Sequence, residues 1–240
     1  MNLNKKLLVG IGLTVSASIL LVGCSDKNTE KELSESDKEA TKYIKYKEDA
    51  KKEIAVNEEE FFEIAWSLRQ LITESNDLFI IAEGILNNGN VEEFNKFVKD
   101  VNNRKSLLEQ ANEIEEQVKN MSRHKSNNDY NEALKVVQDN LLTGLSDYKQ
   151  SIDFIENELL VLYKKEVIDV EEIQELESQY KITYEENQVV FNGNIKQMQE
   201  SFALANQNFV IYLGGQFEKD YYPSVFEERL TAYFTAKSEE

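Results

Sequence analysis

A chain of 240 residues with 45 acidic against 27 basic side chains, net charge −18, can bury a sizeable core, but it lacks the clustered cations that hold a nucleic-acid backbone. One histidine (His124) and one cysteine (Cys24) exclude HExxH peptidase chemistry, His-rich zinc sites and any intrachain disulfide. One proline and nine glycines leave few breaks, so long helices are expected.

Residues 1–23 have the layout of a secretory signal peptide. Lys5 and Lys6 lie in a short basic start, and the 17 residues from Leu7 to Gly23 carry no charge. A comfortable membrane-spanning helix needs about 20. The run ends Leu21-Val22-Gly23-Cys24, which resembles the lipobox of bacterial lipoproteins. The resemblance implies lipidation of the Cys24 thiol, cleavage between Gly23 and Cys24, and a membrane anchor of acyl chains such as palmitate. At about 0.8 kcal/mol per buried CH₂, more than one chain is needed for a lasting hold. The competing reading is an uncleaved anchor helix with an incidental cysteine. Cleavage would remove both lysines and no acid, taking the net charge from −18 to −20.

Residues 24–36 are polar and contain one core-forming residue, Leu33, so they read as a lipidated N-terminus and tether. Residues 37–240 read as an all-α domain, an elongated antiparallel bundle of about four long helices plus short N- and C-terminal ones. Start signals recur as a capping residue with Glu three positions later: Ser36/Glu39, Asn57/Glu60, Asn90/Glu93, Asp129/Glu132, Asp169/Glu172 and Ser224/Glu227. Apolar stripes at three- and four-residue spacing follow, as in coiled coils. One runs from Phe61 to Leu86, one from Phe94 to Met121, one from Leu134 to Leu162 and one from Ile173 to Tyr212. Links near 87–90, 122–129 and 166–169 are short, which makes neighbours antiparallel. Gly89 is the expected left-handed stop of its helix.

Four polar residues interrupt the stripes: Ser75, Arg104, Asn187 and Asn194. They set register, or they line a small polar pocket in which Arg104 pairs a ligand carboxylate. Tyr43 to Lys47 form a basic-aromatic stretch near the expected anchor, interspersed with acids. From Phe209 to Phe234 lie eight of the 24 aromatics. That segment either caps the bundle or offers Tyr221, Tyr222 and Phe226 to a partner. His124 is expected in an exposed turn. With no nucleophile–base pair and no metal-ligand set, neither catalytic residues nor a cofactor are expected.

The helices SLLEQANEIEEQVKN (106–120) and VEEIQELESQYKITYEENQVVFN (170–192) resemble those of cell-wall-binding lipoproteins of Bacillus-type bacteria. That resemblance implies an extracytoplasmic, wall-associated protein and adds no site residue beyond Cys24. The combined expectation is a lipid-anchored, non-catalytic bundle on the outer face of the cell membrane, binding a wall component or envelope protein. The alternative is a ligand-sensing or substrate-binding lipoprotein with its pocket at Arg104.

Overall fold

The computed structural model describes residues 35–239 apart from 126 and 219–220, with side chains described from residue 49. The expected signal peptide, Gly23, Cys24, most of the tether and the side chains of Tyr43 to Lys47 therefore lie outside the described residues. The chain divides into residues 1–39 and 40–240, and the second unit holds the whole hydrophobic core, from Ala50 to Phe226. All regular structure among the described residues is helical: α1 (Glu35–Asn88), α2 (Val91–Asn103), α3 (Leu107–Lys119), α4 (Asn128–Phe154), α5 (Val170–Asn208) and α6 (Pro223–Glu239). A π turn (Ile155–Leu159) and a 3₁₀ turn (Leu160–Tyr163) extend α4, and a second π turn (Phe209–Gly215) extends α5.

Paired contacts fix the helix directions. Asn57 meets Tyr130 and Ser75 meets Tyr148, the same advance along both helices, so α1 and α4 run parallel. Phe61 packs on Phe202 and Phe209, whereas Phe79 packs on Tyr180 and Phe191, so α5 runs against α1. Gln110 reaches Glu74 and Ser122 reaches Glu60, so α3 also runs against α1. The order is up-down-up-down, with α2 and α3 together forming the second leg. Gly144 lets α4 and α5 approach closely, since a Cβ there would stand 2.6 Å from the Cβ of Ser201.

Two of the six expected starts hold, three do not, and at Ser36 the helix is described but the expected cap is not. Asn90 caps α2 by accepting from the N–H groups of Glu92 and Glu93, and Asp169 caps α5 through Glu171 and Glu172. α1 is helical from Glu35, beside the expected Ser36. Asn57, by contrast, lies inside α1, fully buried, and its amide serves tertiary bonds rather than a free first turn. Asn127, not Asp129, caps α4 by accepting from the Tyr130 N–H. α6 starts at Pro223 rather than after Ser224, and the Tyr222 carbonyl accepts from Val225 and Phe226. The stripe from Phe94 to Met121 is two helices: Arg104 leaves helical geometry and Ser106 caps α3 through the N–H groups of Leu108 and Glu109. Gly89 ends α1 at φ 60°, in the left-handed region, as expected.

Candidate functional site

The C-terminal aromatics close one end of the bundle. α5 widens into its π turn, helical geometry runs on through Gly214 and Gly215 to Phe217, and the chain then turns back to deliver α6 onto α1. Tyr221 lies on Gly214 so closely that a Cβ there would stand 2.0 Å from its ring. Phe226 is wholly buried among Phe61, Phe62 and Phe209, with ring centroids 5.2–5.9 Å apart. The Tyr221 hydroxyl donates to buried Glu58 at 2.8 Å, and Arg229 donates to the same carboxylate at 3.1 Å. Tyr221 and Phe226 are thus removed from any partner by packing, which corrects their reading as surface binding residues. Tyr222 alone of the three is exposed.

Beside this closure lies a second buried network. The Tyr130 hydroxyl donates to Asn57 Oδ1 at 2.5 Å, and Asn57 Nδ2 donates to Glu60 at 2.7 Å and to the Ser122 carbonyl at 2.9 Å. Glu60 also accepts from the Ser122 N–H and hydroxyl. Burial, and then the charges of Glu53 and Glu60, push the Tyr130 phenol well above its usual range. Burial, and then Glu58, do the same at Tyr221. Both hydroxyls therefore stay protonated and act as donors. The arrangement joins α1, the α3–α4 link, α4 and the C-terminal segment.

Arg104 sits where the second leg breaks. Its guanidinium donates to Glu74 on α1 and to Glu156 on the π turn after α4, each at 3.2 Å, and to the Lys105 carbonyl at 3.1 Å. Glu156 also accepts from the Leu107 N–H at 2.7 Å and the Ser106 hydroxyl at 2.6 Å, so a distant carboxylate completes the cap of α3. The two carboxylates that hold Arg104 are the protein's own. A groove of about 390 Å³ shares Glu74 with Arg104 and is lined by Gln70, Thr73, Glu74, Asp77, Leu78 and Ile81, all from α1 alone. An arginine so engaged ties three elements together rather than waiting on a ligand.

The other interrupting residues divide. Ser75 is buried between the Leu71 carbonyl and the Tyr148 hydroxyl at 2.5 Å, a polar layer across α1 and α4. Burial pushes Tyr148 up to about 12, opposed by that bond to Ser75. Asn187 bonds within α5 to the Thr183 carbonyl, and Asn194 Nδ2 is buried without a partner among the described residues. His124 is half-buried, its backbone bridged on both sides by Asn131. No three His, Cys, Asp or Glu side chains converge as a metal centre would require among the described residues.

One surface feature escapes a reading of the stripes. The single tryptophan, Trp66, lies edge-on to Phe234 of α6 at 5.5 Å, and the Arg69 guanidinium covers both rings. Trp66 follows the buried Ala65 and falls off the apolar stripe; only its distance from that stripe signals a surface role. Searches for similar proteins return no matching family model, no matching curated protein and no matching solved structure.

Proposed function

We propose that this protein is a lipid-anchored, extracytoplasmic helical bundle, non-catalytic, that holds a binding surface for a cell-wall component or envelope protein near the membrane. The observation that carries the reading is the single cysteine at the end of Leu21-Val22-Gly23-Cys24, behind a basic start and an uncharged run. Two features of the body support it. No helix among the described residues is long and apolar enough to cross a membrane, and a lipid on Cys24 is the attachment this reading assigns. The buried carboxylate of Glu58, the amide of Asn57 and the Arg104 guanidinium are held by the protein's own groups, which suits surface binding better than turnover in a cleft. The surface to test is Trp66, Phe234 and Tyr222, since Tyr221 and Phe226 belong to the core.

Metabolic labelling with an alkyne fatty acid tests the anchor. The full chain takes label and fractionates with membranes; Cys24→Ala takes none and leaves the membrane fraction once its signal segment is removed. Label on Cys24→Ala overturns the anchor. Co-sedimentation of residues 25–240 with purified wall sacculi tests the partner. Pelleting that Trp66→Ala/Phe234→Ala abolishes assigns wall binding to that patch, and absence of pelleting removes the wall as the ligand.

A further inference from the structure

α5 carries two apolar stripes on opposite sides. At about 100° per residue, Tyr180, Phe191 and Met198 point into the bundle, whereas Ile182, Val189 and Leu204 lie within about 60° of one another on the far side. These three are 57%, 84% and 50% exposed, and Ile211, on the π turn that continues the helix, is 52% exposed. One stripe suffices to hold a helix in a bundle. The outer one, two apolar pairs separated by Gly193, Lys196 and Glu200, is free to meet another occupant.

The spacing of the outer stripe identifies that occupant. From Ile182 to Val189 is seven residues, and from Leu204 to Ile211 is seven again, so the pattern is the same read from either end. Two copies of α5 laid antiparallel, with a two-fold axis passing between Lys196 and Gln197, set Ile182 against Ile211 and Val189 against Leu204, both twice. The same register places Gly193 opposite Glu200. A Cβ at Gly193 would meet nothing within 4 Å, so its surface is open to a neighbour's side chain. Lys196, which lies 3.6 Å from Glu200 within its own helix, comes within reach of the other copy's Glu200. A self-matching patch is what a two-fold interface requires.

We propose that the outer face of α5 is the interface of an antiparallel homodimer, two-fold symmetric about the Lys196–Gln197 peptide. The seam is about 43 Å long and about one helix wide, at the small end of specific interfaces, so the dimer is weak and reversible. The two acidic copies repel, and added salt tightens the association by screening them.

Residues 25–240 contain the entire core and lack Cys24, so an introduced cysteine is the only one. Sedimentation velocity from low to high micromolar concentration should show dimer growing with concentration and with salt. Val189→Lys should raise the dimer dissociation constant at least about tenfold, about 1.4 kcal/mol, with unchanged helical content. Mixing Glu186→Cys with Gln207→Cys, which face each other in this register, should give the mixed disulfide in preference to either self-linked product. Thr143→Cys, exposed on α4, should give only background. A chain that stays monomeric to high concentration, a dimer indifferent to Val189→Lys, or Glu186→Cys linking chiefly to itself would each overturn the proposal. The cross-linking pair leaves the apolar residues intact, so it reads the register even if Val189→Lys misfolds.

Discussion

At the end of the bundle where α4 begins, the hydroxyls of Tyr130 and Tyr221 reach Asn57 and Glu58, side chains that are themselves buried. At the other end, Tyr163 and Tyr180 lie among Phe79, Phe94 and Phe97, and the buried Tyr163 hydroxyl has no partner among the described residues. The same residue type does two jobs. At the first end the phenol donates a directional bond that admits one arrangement of α1, α4 and the C-terminal segment. At the second, Tyr163 supplies ring area and its oxygen is a liability, while Tyr180 donates to the Phe79 carbonyl at 3.4 Å. The difference teaches that burial of tyrosine is no measure of what its hydroxyl contributes.

The largest test removes the keystone of the bonded end. Phe226→Ala leaves a hole between Phe61, Phe62 and Phe209 and frees α6 from α1. The expected loss is about 3–5 kcal/mol in urea unfolding followed by helical signal. Because Trp66 touches Phe234 of α6, its fluorescence should change at lower urea than the helical signal does. Coincident transitions would mean that α6 is one cooperative unit with the bundle, and that the two ends are not separately held.

Alkaline pH probes both ends together. The neutral phenols of Tyr130, Tyr148, Tyr163, Tyr180 and Tyr221 are favoured in the fold, chiefly by burial. Unfolding lets each release its proton near pH 10, so the unfolded state binds fewer protons above that point and stability falls as pH rises. The contribution is fully present below about pH 10. Tyr148 alone, at about 12 in the fold, accounts for about 2 kcal/mol lost by pH 12 and about 3 kcal/mol well above it, at roughly 1.4 kcal/mol per unit. Denaturant midpoints flat between pH 7 and 9 and falling steeply above 10 are expected. A midpoint unchanged at pH 11 would mean that these hydroxyls are not held neutral.

Much of this architecture is legible in the sequence, for a physical reason. The stripes from Phe61 to Leu86 and from Leu134 to Leu162 are buried as their period requires, and Asn90, Asp169 and Gly89 mark ends because nothing competes for their backbone roles. The break at Arg104 is harder to read. Ser106 and Glu109 have the spacing of a start, but the stripe from Phe94 to Met121 passes through without losing phase, so periodicity joins what capping separates. Asn57 misleads in the opposite sense: it has the local pattern of a cap, and a bond from Tyr130, 73 residues away, takes its side chain instead. Aromatic composition could not say which way the C-terminal rings face. That depends on Gly214 admitting the ring of Tyr221, a tertiary contact with no local signature. The partners of Arg104, Glu74 and Glu156, are likewise 30 and 52 residues away.

The smallest effect is the most discriminating. Tyr130→Phe takes the donor from buried Asn57 Oδ1 and should lose about 1–2 kcal/mol. Tyr163→Phe removes an oxygen that has no partner and keeps the ring stacked on Phe94 at 5.5 Å and edge-on to Phe97 at 5.2 Å. It should be neutral or gain up to about 1 kcal/mol, since an unpaired buried hydroxyl carries its desolvation cost without return. It should also flatten the alkaline fall in stability by removing one of the titrating groups, an effect that a ring-only role predicts and general loosening does not. Equal losses from the two substitutions, measured by urea midpoint at neutral pH, would mean that both hydroxyls are bonded in the folded protein, and the contrast between the two ends would fail. Opposite signs would establish that the bundle is specified by polar bonds where α6 closes it and by ring packing where α2 meets the end of α4.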